Sequence, residues 1–391
     1  MDPRTTPAAQ RALIAAVQVL GLATWFSASA VVPSLRAEWG VDLAAAVWLT
    51  AATQLGFVVG AVASAALALA DRVPAHLLLA AGATGAATST LVFALLADGL
   101  AAAVPLRFAT GLFLAGVYPV GMKLMASWAT PDRRARAMGL LIGALTLGSA
   151  LPHLIGVLAW PWRPLVSAAA CATLVAALLS ATLLRAGPHL ARSAPARDPA
   201  YALTLLRDRA PRLVNLGYLG HMWELYALWT WLPLFGADAV RDLDPRVAGL
   251  AAFAAVGVAG VAGCLVGGWA ADRFGRPRAA ATALALSGAC CLLSPLAHAA
   301  SPPVLLAFAA VWGAAVIADS GVFSTMLSEV VDGPRAGTAL TAQTAAGFLL
   351  TVVAIQLVPV VAEVVTWRYA LVVLALGPVV GVVALTRPRA A

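Results

Sequence analysis

Residues 268–276 read GWAADRFGR, at the junction between two long apolar stretches, 247–270 and 279–299. A membrane-spanning helix needs about 20 predominantly apolar residues, so each stretch is long enough to cross a bilayer. The charged residues of this segment are confined to the connection between the stretches. The segment therefore predicts two antiparallel transmembrane helices joined by a short polar loop.

The composition of the whole chain agrees with this local pattern. Of 391 residues, 62% are hydrophobic and 11% are charged, whereas a soluble domain is about 25% charged. This excludes an ordinary soluble enzyme. The net charge of +8 suggests no nucleic-acid partner, because basic residues that flank membrane spans give the same excess. The four cysteines lie in apolar runs without metal-type spacing, so we predict neither a metal site nor a cofactor.

Apolar stretches recur along the whole chain and are separated by arginine, aspartate and proline. Strands of a membrane barrel would alternate over about 10 residues instead of staying apolar. The fold class is therefore an all-α membrane protein with twelve transmembrane helices. We predict the spans at residues 11–33, 44–70, 76–96, 102–127, 137–159, 164–185, 212–236, 247–270, 279–299, 303–328, 337–361 and 368–386.

The chain repeats itself at an offset of about 200 residues, a spacing that indicates duplicated bundles. Ala70-Asp71-Arg72 matches Ala271-Asp272-Arg273, and Trp162-Arg163 matches Trp367-Arg368. A long connection rich in proline, arginine and alanine divides the spans six and six. We predict two pseudo-symmetric six-helix bundles, at residues 1–185 and 212–391, joined by a cytoplasmic linker at 186–211.

Arginines concentrate in every second connection, counting from the N-terminus. Because cytoplasmic loops collect positive charge, both termini are expected in the cytoplasm and the chain in the inner membrane. We expect the first span to be retained and not cleaved as a secretory signal, because its loss would break the repeat.

The loop at 268–276 resembles the G-x-L-A-D-R-x-G-R motif of the major facilitator superfamily, and the resemblance extends over essentially the whole chain. It implies two bundles that rock to give alternating access, with this loop as a conformational latch whose arginine pairs with acids of the facing half. The first-half loop has Pro74 and Ala75 in place of the glycine and arginine of the motif. The implied latch residues are Gly268, Asp272, Arg273, Gly275, Arg276, Asp71 and Arg72.

Two further elements bear on the subfamily. The pentapeptide at 107–111 is similar to an R-x-x-x-G element that the family often ties to proton coupling. The segment from Tyr118-Pro119 to Arg136 is similar to the connection between spans four and five in anion-carrying members. Span five lacks the G-P-x-x-G-G element of drug-exporting antiporters, which favours uptake over export.

Ionisable residues inside membrane helices are costly and usually face a cavity or a partner. Glu224 lies near the middle of span seven, and His221 lies about 4.5 Å closer to the cytoplasm. Asp319 lies at the same depth as His221 in span ten, which is expected to neighbour span seven in this family. We predict that these three residues carry protons. The alternative is a permanently satisfied polar clamp between helices.

Span four carries the opposite charge, with Arg107 towards its outer end and Lys123 towards its inner end. Arginine suits a carboxylate or phosphate, and lysine is a movable point charge, so both are predicted to bind an anionic substrate. The alternatives are that Arg107 hydrogen-bonds helix ends and that Lys123 extends to the cytoplasmic boundary. Further candidates for the cavity wall are Trp25, Tyr118, Tyr226, Trp229 and Gln343.

We therefore predict a secondary transporter that moves a small solute, an organic anion, across the inner membrane with proton coupling, symport being favoured. One alternative is a proton-antiporting exporter of amphipathic drugs or metabolites. Another is a membrane sensor or assembly partner that transports nothing. We find no phosphate-binding loop, no His-Glu-x-x-His pair and no nucleophile elbow, so no enzymatic activity is expected. The expected partners are the solute, protons and the lipid bilayer, with the monomer as the functional form.

Overall fold

A computed structural model of the chain describes residues 6–67, 69–130, 134–157, 161–190, 205, 207–240, 243–331 and 336–387. These residues form helices joined by short connections, and no strand occurs among them. The chain divides into two compact units, Met1–Ala194 and Pro195–Ala391. The greater part of the predicted linker at 186–211 lies outside the described residues.

Among its described residues, the first unit has nine α-helices and a short 3-10 turn, Ser29–Val31, that precedes α2. The helices are α1 Pro7–Gly21, α2 Val32–Trp39, α3 Leu43–Ala66, α4 Leu69–Arg72, α5 Ala75–Leu96, α6 Leu100–Leu114, α7 Tyr118–Ser127, α8 Arg134–Gly156 and α9 Trp162–Leu183.

The second unit contains nine further α-helices among its described residues, with a π-helical turn at Phe253–Val258 and a 3-10 turn at Leu371–Ala375. The helices are α10 Arg209–Ala239, α11 Pro245–Ala252, α12 Ala259–Phe274, α13 Arg276–His298, α14 Pro302–Ile317, α15 Ser320–Val330, α16 Ala336–Val365, α17 Trp367–Ala370 and α18 Leu376–Thr386.

Ten segments of the described chain are long and apolar enough to cross a membrane, and the predicted all-α membrane fold is confirmed. The other two predicted spans, 11–33 and 212–236, are also helical but differ in kind. The first is interrupted after α1, so neither of its helices is long enough alone. The second is the continuous helix α10, whose hydropathy is lowered by His221, Glu224 and several aromatic residues.

Three predicted spans are broken well inside their bounds, whereas 44–70 is divided only near its end, between α3 and α4. Residues 22–28 leave the helix after α1, residues 115–117 separate α6 from α7, and residues 318–319 separate α14 from α15. Pro119 in the first turn of α7 contributes to the second break, because proline has no N–H to continue a preceding helix. Each break releases backbone groups that need other partners inside a membrane. The last two breaks occupy corresponding positions in the two units.

Glycines allow the same pair of spans to pack closely in each unit. A methyl group added at Gly56 in α3 would overlap the carbonyl oxygen of Phe108 in α6. In the second unit, a methyl group at Gly267 in α12 would overlap the carbonyl oxygen of Ala318, directly after α14. Small residues at such crossings let helix backbones approach each other, which stabilises helix pairs in lipid.

Two adjacent glycines give a direct test of this packing. We expect Gly267→Ala to destabilise the protein by about 1–3 kcal/mol, because the added methyl must push α14 away. Gly268→Ala is the matched control, since a methyl group added there would meet nothing within 4 Å. The measurement is thermal unfolding of both variants in the same detergent. Equal unfolding temperatures for the two variants would refute the close approach.

Candidate functional site

Charged residue types are rarely buried in the described part of the chain. Arg107 is buried in the first unit, and His221, Glu224 and Asp319 are buried in the second, each at most 1% exposed. Removing a charge from water costs several kcal/mol unless the group is paired or neutralised. Packing alone therefore does not explain the presence of these four residues.

Glu224 in α10 accepts hydrogen bonds from three side chains of neighbouring helices. Trp312 Nε1 in α14 donates to Oε1 at 2.6 Å, and Ser287 Oγ in α13 donates to Oε2 at 2.8 Å. Cys291 Sγ, one turn after Ser287, lies 3.3 Å from Oε1. None of the described basic side chains forms an ion pair with Glu224. Burial is costly for a carboxylate, and the three neutral donors offset part of that cost.

His221 and Asp319 form a second buried contact, on neighbouring spans. Nδ1 of His221 lies 2.8 Å from Oδ1 of Asp319, at the break between α14 and α15. The approach is not aligned as a hydrogen bond, and His221 Nε2 and Asp319 Oδ2 have no hydrogen-bond partner among the described residues. The ring centroid of Phe323 lies 5.8 Å from that of the His221 imidazole. This pair is therefore incompletely satisfied, unlike Glu224.

The alternative prediction, a permanently satisfied polar clamp, agrees with the contacts of Glu224 but not with those of His221 and Asp319. A permanent clamp requires every buried polar atom to be paired, because unpaired atoms keep their desolvation cost. Glu224 meets that requirement through Trp312, Ser287 and Cys291. His221 and Asp319 do not meet it.

Arg107 in α6 holds the non-helical segment that follows α1. Its Nη2 donates to the carbonyl oxygens of Thr24 at 3.0 Å and Trp25 at 2.8 Å, and Nη1 donates to Ser27 Oγ at 3.3 Å. The guanidinium carbon lies 5.8 Å from the ring centroid of Phe93. No described acidic side chain pairs with Arg107, and its Nε has no hydrogen-bond partner among the described residues. Arg107 thus makes the helix-end hydrogen bonds that were one of the two predictions for it. No described acidic side chain balances its positive charge.

Lys123 in α7 lies far along the span from Arg107. Its Nζ donates to the carbonyl oxygen of Ala70 at 2.6 Å, so it stabilises α4 beside the first-half loop. The two cations of span four therefore do not meet at one place. A role for Lys123 in attracting an anion stays a prediction.

The loop at 268–276 is a tight connection between α12 and α13. Gly275 is the single residue between them and has φ of +90°, a conformation that favours glycine. Arg276 forms an ion pair with Glu329 near the end of α15. The resemblance implied an acid of the facing half, whereas this partner belongs to the same unit.

Four other residues of the implied latch lie at or near the surface of their units. Gly268 is half-buried, and Asp272, Arg273 and Arg72 are exposed. The side chain of Asp71 lies outside the described part of the chain. Their latch role stays a prediction.

The predicted cavity-wall residues fall into separate groups in the two units. In the first, the ring of Trp25 lies 5.0 Å from that of Phe57, and Tyr118 begins α7 and is half-buried. Trp25 is therefore packed against α3.

In the second unit, Tyr226 contacts the rings of Trp229 at 5.5 Å and Phe348 at 5.0 Å. Gln343 Nε2 in α16 donates to Asn215 Oδ1 in α10 at 2.8 Å. These residues link α10 to α16.

Several residues at these sites were missed by sequence reasoning. Ser287 and Cys291 are four residues apart and so share one helix face, a spacing that marks them as a possible pair of donors. Trp312 carries a polar N–H in the middle of an apolar span. Gln54 in α3 is completely buried. Each of these four residues carries a polar group within an apolar run, and that contrast could have identified them from the sequence.

Comparison with known proteins gives two findings. A family model described as Major Facilitator Superfamily matches residues 14–264 and 239–391. A crystal structure of a mutant of the nucleoside transporter NupG is similar with a TM-score of 0.73 and 13% sequence identity, covering 96% of this chain and 98% of that one. No curated protein sequence matches the chain at a significant level. At that identity the structural likeness concerns the fold alone.

Proposed function

The chain belongs to the major facilitator superfamily of membrane transporters, and we propose that it couples the movement of a small organic anion to the movement of protons, by symport. The observation that carries the proposal is the burial of Glu224 and of the His221–Asp319 contact in one unit, with no described lysine or arginine paired with any of the three. Such residues inside a membrane protein are retained for function more often than for stability.

The proton part of the proposal assigns two steps to two groups. Glu224 binds the transported proton, because its donors hold it in place in either protonation state. His221 and Asp319 form the second coupling group, at the break in span ten, where their contact is incompletely satisfied. Discontinuous helices are where transporters of this kind concentrate binding and coupling sites.

The anion part of the proposal rests on Arg107. Its guanidinium is completely buried and lacks an acidic partner among the described residues, so an anion near it gains electrostatic stabilisation. The same proposal includes an inner-membrane location, cytoplasmic termini and a monomeric state. It also includes the two bundles at 1–185 and 212–391.

The proposal is tested by uptake into vesicles that contain the purified protein and have an alkaline interior. Symport of one proton with one monovalent anion supports about tenfold accumulation for a pH difference of about one unit. Lactate and malate are suitable labelled probes, and protein-free vesicles correct for diffusion of the neutral acids. A protonophore that abolishes the protein-dependent accumulation supports coupling. Protein-dependent release of the probes under the same gradient would instead indicate export.

A further inference from the structure

Gln54 is a buried amide that lacks hydrogen-bond partners. It lies in the middle of α3 and is 0% exposed. Neither its Oε1 nor its Nε2 has a hydrogen-bond partner among the described residues. Buried polar side chains are nearly always paired, because an unpaired amide keeps the cost of losing its water. The position therefore requires an explanation other than packing.

The neighbours of Gln54 on α3 show which segment it faces. Thr50 Oγ1 lies 2.7 Å from Ser29 Oγ, and the ring of Phe57 lies 5.0 Å from that of Trp25. Gln54 is about one helical turn from both Thr50 and Phe57, on the same side of the helix. Gln54 therefore lies on the face of α3 that packs against Trp25, in the non-helical segment after α1, and against Ser29, directly after that segment.

Two other buried polar atoms border the same segment without hydrogen-bond partners among the described residues. They are Oγ1 of Thr24, within the segment, and Nε of Arg107, whose Nη atoms already bind its carbonyl oxygens. Both residues are 0% exposed. Three elements, α3, α6 and the segment itself, thus contribute unsatisfied polar atoms to one region of the first unit.

The hydrogen-bonding capacities of these atoms define a ligand chemistry. The N–H of Arg107 and the amide N–H groups of Gln54 donate, and the charge of Arg107 favours an anion. Oε1 of Gln54 only accepts, so it requires a donor on the ligand. The hydroxyl of Thr24 serves either role. A simple carboxylate satisfies the donors but leaves Oε1 of Gln54 unpaired.

We propose that Gln54, Thr24 and Arg107 form a subsite for an organic anion that carries a hydroxyl or amino group beside its carboxylate. The carboxylate accepts from Arg107 and Gln54, and the neighbouring hydroxyl or amino group donates to Oε1 of Gln54 and shares a hydrogen bond with the hydroxyl of Thr24. This inference rests on the proposed function and names the substrate class that the first unit selects.

The test compares acids that differ by one hydroxyl group, lactate against propionate and malate against succinate. Binding to the purified full chain is measured by calorimetry. One additional hydrogen bond predicts about tenfold tighter binding of the hydroxy acid in each pair. In Gln54→Leu, and independently in Thr24→Val, this preference should fall to about twofold or less. Gln54→Glu places a carboxylate beside Arg107 and should weaken binding of all four acids at least about tenfold.

Gln356→Leu is the matched control, because it removes a glutamine from an apolar helix of the other unit and should keep the wild-type preference. An unchanged preference in Gln54→Leu and Thr24→Val overturns the subsite, whatever the uptake experiment gives. Proton-driven uptake combined with no hydroxyl preference in the wild type also overturns the subsite and leaves coupling intact. Loss of the preference in Gln54→Leu, without proton-driven uptake by the wild type, supports the subsite and refutes coupling.

Discussion

Glu224→Gln is expected to abolish proton-driven accumulation while substrate exchange across the membrane continues. Glutamine keeps the size of the side chain. Its single oxygen still accepts from Trp312 and its NH2 group donates to Ser287 Oγ, but it cannot bind and release a proton. Accumulation should fall to the level of protein-free vesicles, a loss of about tenfold for a pH difference of about one unit. Exchange is measured as the entry of labelled probe into vesicles that are preloaded with unlabelled probe at equal pH.

The matched control is Glu363→Gln, because Glu363 is exposed in the same unit and makes no contact with the buried group. It should accumulate substrate as the wild type does. Undiminished accumulation in Glu224→Gln would remove Glu224 from the coupling mechanism. Loss of both accumulation and exchange in that variant would show that Glu224 is needed for the conformational cycle itself.

Arg107→Ala is expected to destabilise the protein by about 2–5 kcal/mol, because buried carbonyl groups of Thr24 and Trp25 lose their charged donor. The segment after α1 has no helix of its own to satisfy those carbonyls inside a membrane. Arg107→Lys keeps the positive charge but replaces the planar fork by one compact ammonium, so a smaller loss is expected. Thermal unfolding in detergent measures all three proteins.

Arg36→Ala is the control for this comparison, since Arg36 is an exposed arginine of α2 in the same unit. Its unfolding should match that of the wild type. If Arg107→Ala unfolds at the temperature of Arg36→Ala, the bonds to the carbonyl oxygens contribute nothing to stability. Arg107 would then be retained for anion binding alone.

The sequence was sufficient to predict the membrane fold and to place His221 and Asp319 level with each other. Apolar runs of about 20 residues indicate helices without reference to packing, and depth along a helix follows from its rise per residue. His221 and Asp319 could therefore be assigned to one level before their contact was known. The tight connection at Gly275 also follows from a local pattern.

The breaks in the spans could not be predicted in the same way. Helical periodicity does not reveal where backbone hydrogen bonds are given up, since that depends on partners such as Arg107 that lie on other helices. The three donors around Glu224 come from two helices and are brought together only by packing. The isolation of Gln54 is likewise a property of its neighbours and not of its own segment.

The central claim, proton-linked binding of an organic anion, is tested most directly by thermal unfolding with small carboxylates, inorganic anions, amines and lipophilic cations at about pH 5.5 and about pH 7.5. A ligand at about 100 times its dissociation constant stabilises a protein by about 2.7 kcal/mol. We expect carboxylates to stabilise the wild type more at the lower pH and to lose that pH dependence in Glu224→Gln. Stabilisation by lipophilic cations alone would contradict the account and favour export of amphipathic compounds.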